Sequence, residues 1–498
     1  MNVNPITRLD YPDPDVIRVE DTYYMVSTTM HFMPGCEILQ SFDLVHWEHV
    51  TYVYETLDHT DAQQLKSGQN IYGQGMWAAS LRYHEGRFYI CFVANDTRKT
   101  YLYTSEKIDG PWKKQLIEGF YHDGSLLFDE DGRNYIVYGN DEIWITELNE
   151  DLTAPKKDGL HRLLVSDHKN PELGYEGSHI QKINGYYYIF LVHSLRDRWM
   201  RTEACFYSDS LEGEFTGGDV LCDDRGYCGQ GVAQGGIVDT PDGKWYAMLF
   251  QDSGAVGRIP ILVPVTWKDH FPVFGQNGHV PEEIEVHSTR PGYIYQPLVG
   301  SDDFCNGLLP RWQFNHDPDP RYYHLDALQG TYTITTREVC TELTQAVNTL
   351  TQRMSYPSCA AEVTVDASAL KEGDVAGLCA LQGCYAAVGI TKHHGKYEVL
   401  MLDKKEDGIL DMTEGTVVES HQMDFRLEAD FCNMKDEARC YYRVNKGDWL
   451  PIGTAHKLYF KLDHFTGCRF GLFCYAAEET GGSACFRDFK YYDVDEIS

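Results

Sequence analysis

One phrase occurs five times in the first half of this chain, and repetition at that interval leaves a short list of folds. The phrase is a turn of Asp, Glu, Asn or Gly type followed by a strand carrying aromatics. It reads Asp21-Thr22-Tyr23-Tyr24, then Glu85-Gly86-Arg87-Phe88-Tyr89, then Asp131-Gly132-Arg133-Asn134-Tyr135. It returns as Asn184-Gly185-Tyr186-Tyr187-Tyr188 and as Asp242-Gly243-Lys244-Trp245-Tyr246. Each is a hairpin signal, because Gly and Asn accept positive φ between two apolar runs. The closing aromatics stand at 24, 89, 135, 188 and 246, so successive units are 65, 46, 53 and 58 residues apart. About four short strands fill such a unit, which is the size of one propeller blade. A second phrase follows several of the hairpins, as in Ser41-Phe42-Asp43-Leu44-Val45-His46-Trp47 and Ser208-Asp209-Ser210-Leu211-Glu212-Gly213-Glu214-Phe215. These read as outer strands ending in a turn and an aromatic plug. Long helical periodicity is absent before residue 290, and the pattern predicts a five-bladed β-propeller.

The repeat also aligns the strands expected to line the central channel. Asp13 lies 11 residues before Tyr24, while Trp77, Asp123, Glu176 and Gln234 each lie 12 before their own aromatic. Equivalent positions in a propeller converge on one axis. Three of these five are carboxylates, and burying an acid costs several kcal/mol unless something compensates it. Three acids gathered at an axis therefore read as a site. Hydrolysis of a glycosidic bond with inversion needs such a set. One carboxylic acid protonates the leaving oxygen, and a carboxylate about 6.5–9.5 Å away activates water on the opposite sugar face. A third carboxylate near the acid raises its pKa and orients it. Trp77 offers an apolar wall for a sugar ring. This chemistry requires no metal or organic cofactor.

At 498 residues the chain exceeds what one hydrophobic core usually organises. Composition shifts around Arg290-Pro291-Gly292-Tyr293-Ile294-Tyr295, a linker. From Ser301 short alternating strands such as Ala361-Glu362-Val363-Thr364-Val365 are separated by Gly- and Asp-containing turns, the pattern of an antiparallel β-sandwich. The reading is a propeller over residues 1–295 and a sandwich over 301–498. A formal net charge of −32 opposes binding to nucleic acid or an anionic membrane surface, so substrates should be neutral or cationic. No run of about 18 apolar residues spans a membrane, and the first residues carry no basic stretch followed by an apolar core. Fifteen scattered Cys without a metal-type CxxC pair read as reduced thiols. Together these point to the cytoplasm.

Several motifs resemble glycoside hydrolase family 43. They are Asn4-Pro5, Tyr11-Pro12-Asp13-Pro14-Asp15, Met76-Trp77-Ala78-Ala79-Ser80, His122-Asp123-Gly124-Ser125-Leu126, Tyr175-Glu176-Gly177-Ser178-His179, Gln234-Gly235-Gly236 and Gly257-Arg258-Ile259-Pro260. The resemblance continues across the C-terminal half. It implies that Asp13 is the general base and Glu176 the general acid, with Asp123 tuning and orienting that acid. It further implies that Arg258 hydrogen-bonds the sugar at the non-reducing end and that Phe32 walls the sugar pocket. Many relatives carry a His on the fifth inner strand, in some cases near a calcium ion. Gln234 stands there, and although an amide oxygen can ligate calcium, no metal site is assigned. The Ser301-Asp302-Asp303-Phe304 start and Trp312 resemble the sandwich of xylosidase-type members, in which a sandwich loop closes the pocket. Which residue does so is not legible. The expected activity is exo-acting β-xylosidase or α-L-arabinofuranosidase, or both, on neutral xylo- or arabino-oligosaccharides, with a homo-oligomer left open. The alternatives are an endo-arabinanase with an open groove, a retaining relative, and a glycan-binding propeller without catalysis.

Overall fold

Every aromatic phrase becomes the first hairpin of a four-stranded antiparallel sheet. Glu85-Gly86 joins Met76–His84 to Arg87–Ala94, and Asn184-Gly185 joins Glu176–Ile183 to Tyr186–Ser194. All four turn residues have positive φ, which lets a two-residue turn follow the right-handed twist of its strands. The computed structural model describes residues 2–493 and arranges five such sheets as the blades of a propeller. Blade 1 runs from Asp15–Val19 out to Glu48–Tyr54, and blade 2 from Met76–His84 to Lys113–Ile117. Blade 3 runs from Ser125–Phe128 to His161–Ser166, and blade 4 from Glu176–Ile183 to Thr216–Leu221. Blade 5 has an inner strand in two pieces, Val232–Ala233 and Ile237–Asp239, and ends at Phe271–Phe274. The inner strands of neighbouring blades lie side by side around the axis.

Large side chains fill the seams between blades. Trp47, from the first aromatic plug, is buried with Tyr246 and Met248 between blades 1 and 5. Tyr54, Phe92 and Tyr103 stack between blades 1 and 2. The ring is closed by polar links as well. The Asn4 amide donates to the Leu262 carbonyl at 2.8 Å, and its oxygen accepts from the Leu262 N–H at 3.0 Å. Arg18 of blade 1 pairs with Asp239 of blade 5 at 2.5 Å.

Two antiparallel sheets form the sandwich. Gln422–Asp430 shows how its core is coded: Met423, Phe425, Leu427 and Ala429 are buried, while the residues between them are more open. Trp312 stacks on Phe304 in this core, and its indole N–H donates to Asp302 at 2.8 Å. One strand crosses between the domains. Phe32–Met33, from the loop after the first hairpin of blade 1, pairs with Gln313–Asn315 and extends a sandwich sheet. An ion pair between Glu37 and Arg353 at 2.8 Å, both buried, fastens the same seam. Burial pushes the Glu37 carboxyl up, but Arg353 and His49 more than offset that and hold it at about 2. Among the described residues there is no α-helix, and no helix is long and apolar enough to cross a membrane.

Candidate active site

Asp13, Trp77, Asp123, Glu176 and Gln234 all line one cavity of about 190 Å³ on the propeller axis. The backbone that presents them is unusual in each blade. Asp13, Asp123 and Gln234 have φ of 52°, 48° and 63°, a left-handed conformation that Asp tolerates better than most residues. Blades 2 and 4 use β-bulges instead, between Met76 and Ala79 and between Glu176 and His179. A bulge re-aims the side chain beside it, which turns Trp77 and Glu176 into the cavity. Gly177 sits inside the second bulge with φ 65°, and a Cβ there would meet Gln234 Cγ at 2.7 Å.

Asp13 is buried and held at both oxygens. Arg258 Nη1 donates to Oδ1 at 2.6 Å, and the Thr28 hydroxyl donates to Oδ2 at 2.6 Å. Arg258 is itself fixed by Asp252, which accepts from its Nε at 3.2 Å and from Arg201 Nε at 3.1 Å. Asp252 thus steadies two pocket-lining guanidiniums at once. Asp123 Oδ2 accepts the Gly177 N–H at 2.9 Å, so Asp123 orients the strand bearing Glu176 through its neighbour. Asn140 donates to Glu176 Oε2 at 2.8 Å.

The protons are distributed differently from the sequence-based expectation. Burial pushes the Asp123 carboxyl up to about 6, with Glu176 and Asp13 adding to the rise and His122 opposing it. Burial acts on Glu176 in the same sense. There, however, His122, Arg201 and Arg258 prevail and hold the carboxyl below the usual range. The net shift of Glu176 is therefore downward, where a rise was expected, and Asp123 is tied to its strand through Gly177. His122 moves the other way: burial pulls it down, yet the carboxylates of Asp123, Glu176 and Asp13 push it up to about 9.

The walls are partly those expected. The indole of Trp77 packs edge-on against Phe465 at 5.3 Å, and the Arg258 guanidinium lies 3.7 Å over the same Phe465 ring. Leu173, Trp199 and Leu462 complete the lining. Phe465 and Leu462 come from the sandwich, on the loop between Leu450–Lys457 and Arg469–Tyr475. That loop is docked by the Gly467 N–H on Asp10 at 2.7 Å and by the Cys468 N–H on the Ala255 carbonyl at 2.8 Å. Phe32 is not a wall. It is 2% exposed in the seam between the domains, under the Arg469 guanidinium at 3.4 Å, because its strand pairs with the sandwich.

The surroundings of Gln234 do not suit calcium, which takes six to eight oxygens. Its N–H donates to Glu203 at 2.7 Å, and burial raises that carboxyl well above its ordinary value. The gathered donor set is instead His122, Asp123 and Glu176, whose ligand-type atoms lie within 4.8 Å of one another. An imidazole nitrogen facing two carboxylate oxygens there acts as a proton donor. His122, Asn140, Trp199, Arg201, Leu462 and Phe465 were not legible as site residues. Arg201 opens the strand Arg201–Ser208, where Thr202 and Glu203 follow it, so no local pattern singled it out either.

Comparison with known proteins agrees with this geometry. Residues 3–272 match the profile of Glycosyl hydrolases family 43, and residues 301–492 match the Beta xylosidase C-terminal Concanavalin A-like domain. A β-xylosidase of Formosa agariphila is 27% identical over 99% of this chain and 89% of its own length. Xylosidase/arabinosidase 43B of Humicola insolens is also 27% identical, over 98% of this chain and 96% of its own. Among solved structures, a bifunctional GH43-CE protein of Bacteroides eggerthii superimposes with a TM-score of 0.92 at 42% identity, covering 99% of this chain. This chain spans 64% of that protein's length. With the profile matched over more than half of its residues, the chain belongs to glycosyl hydrolases family 43.

Proposed function

We propose that this protein is an exo-acting, inverting glycosidase that releases single xylose or arabinofuranose units from xylo-oligosaccharides or arabinoxylan fragments. The observation that carries this reading is the small pocket on the propeller axis. Three carboxylates reach it from three blades, and a loop of the sandwich covers it. Its 190 Å³ is below the roughly 300–1,000 Å³ of sites for larger ligands, so it takes one sugar ring and not a chain in passage. The names of the relatives, β-xylosidase and xylosidase/arabinosidase, support the choice of pentoses.

In this reading Asp13 accepts the proton of the attacking water. Its oxygens are aimed by Arg258 and Thr28. Glu176 gives a proton to the departing glycosidic oxygen, and Asp123 keeps the Glu176 backbone in place through Gly177. Arg258 Nη2 and the Arg201 guanidinium supply donors for ring hydroxyls, and Trp77 and Phe465 enclose the ring. Both proton transfers have a side chain to perform them, so the proposed reaction calls on no metal. The test is product analysis on xylo-oligosaccharides together with aryl β-D-xyloside and aryl α-L-arabinofuranoside. Monosaccharide should appear from the first minutes, and the ratio of the two aryl activities ranks the sugars. Early release of longer fragments would favour the endo-arabinanase reading. Binding without turnover would favour a glycan-binding propeller.

A further inference from the structure

Glu176 shares its end of the cavity with a histidine. His122 Nε2 stands 3.4 Å from Glu176 Oε2 and 3.6 Å from Asp123 Oδ2. Asn140 donates to that same Glu176 oxygen. Two donors directed at Oε2 hold that oxygen in place. The charged groups facing His122 are Asp123 on its own turn, Glu176 on the inner strand of blade 4, and Asp13 across the channel. Trp77 packs against one side of the ring, with centroids 6.1 Å apart. The His122 side chain keeps 21% of its surface exposed, enough to exchange protons with water.

We propose that His122 stores the proton on which acid catalysis draws, so that the working acid is a His122–Glu176 pair, a role that presupposes Glu176 as the acid. The His122 imidazolium passes its Nε2 proton to Glu176 Oε2, and Glu176 gives that proton to the glycosidic oxygen as the bond from that oxygen to the sugar carbon breaks. The bonding electron pair stays on the oxygen, and water, losing a proton to Asp13, bonds to the carbon. His122 is left as a neutral imidazole and Glu176 as a carboxylate. Solvent returns a proton to His122 and removes the one on Asp13, so charge and protons balance over the turnover. Contacts of this kind are long before substrate binds and shorten afterwards. The electrostatics agree. Carboxylates push His122 up to about 9 while Glu176 is held below the usual range, so near neutral pH the cluster keeps its proton on the nitrogen beside the oxygen that needs it. His122 acts through Glu176 and is a positioning, proton-supplying residue.

The test is the pH dependence of kcat/KM for wild type, His122→Gln, His122→Asn and Glu176→Ala, each on one aryl glycoside with a poor leaving group and one with an activated leaving group. The wild-type basic limb should lie near 9, where the imidazole loses its proton, and in the His122 variants it should move to clearly lower pH, because Glu176 alone then holds the proton. At pH 8 the variants should lose at least about tenfold on the poor leaving group and less than about threefold on the activated one, which needs little protonation. The retained rate on the activated substrate shows that the variants are folded. A basic limb that stays in place overturns the proposal. So does one that rises, because a cation that only depresses Glu176 would free it to higher pH once removed. If Glu176→Ala keeps the wild-type rate on the poor leaving group, the acid assignment itself falls and the role of His122 falls with it. If Glu176→Ala is crippled but His122→Gln behaves as wild type, only the role of His122 is lost.

Discussion

At the scale of single residues, position in the repeat identified five cavity-lining side chains from spacing alone. It did so because a propeller superimposes equivalent positions on one axis, which makes residue number a measure of location. What a side chain's partners do to its charge is not written in spacing. Asp123 and Glu176 are near-equivalents in sequence, yet one carboxyl is raised and the other lowered, because His122 and two arginines crowd Glu176. Glu203 is a further example. It is fully buried, accepts only the Gln234 N–H, and burial raises its pKa well above the ordinary value of 4.5. Below that value the side chain is neutral in both folded and unfolded chains and costs nothing. As pH rises past it, the unfolded chain gains by ionising and the folded one does not, so stability falls with pH. Glu203→Gln, isosteric and always neutral, should therefore melt at the wild-type temperature near pH 4. At pH 8 it should be more stable by at least about 1 kcal/mol, since each pKa unit is worth about 1.4 kcal/mol. Thermal melts at the two pH values check this.

At the scale of elements, the hairpins were legible because their turn chemistry is local: Gly86, Asn184 and Gly185 take the positive φ their residue types accept, and Glu85 follows its glycine into the same turn. The two bulges were not. A bulge adds one residue against a partner strand, and that shows only when both strands are in view. Yet the bulge in blade 4 aims the proposed acid, and Gly177 is its pivot. Gly177→Ala would put a methyl group 2.7 Å from Gln234 Cγ and 3.1 Å from a Val192 methyl, on a backbone with φ 65°. The strain is of order 1–3 kcal/mol. Relief would move the Gly177 N–H off Asp123 and turn Glu176 with it. We expect kcat to fall about 10²-fold, the effect of roughly 1 Å of misplacement, while the protein remains folded. Rates measured beside a melting curve separate the two effects.

At the scale of the whole molecule, the propeller and the sandwich were each readable from strand patterning, but their union was not. The Phe32–Met33 strand joins the sandwich, so the aromatic expected in the pocket lies in the seam, and an aromatic about 430 residues further along takes the wall position. No local pattern announces Phe465, because its role depends on where a second domain docks. Asp10 shows how closely docking and chemistry are tied. It accepts the N–H groups of Arg258 and Gly467 at 2.8 and 2.7 Å, three residues before the proposed base. The sandwich loop, the arginine and the base therefore hang from one buried carboxyl, which burial raises to about 6. The central claim is that Asp13 is the base and Glu176 the acid of this one pocket, and rates on aryl glycosides of graded leaving-group ability test it most directly. The rate of Asp13→Ala should fall by roughly 10²–10⁴ on every leaving group, since water must be activated in each case. Glu176→Ala should lose as much on poor leaving groups but approach the wild-type rate as the leaving group improves. If both variants lose the same factor across the series, or neither loses activity, the assignment of acid and base is wrong.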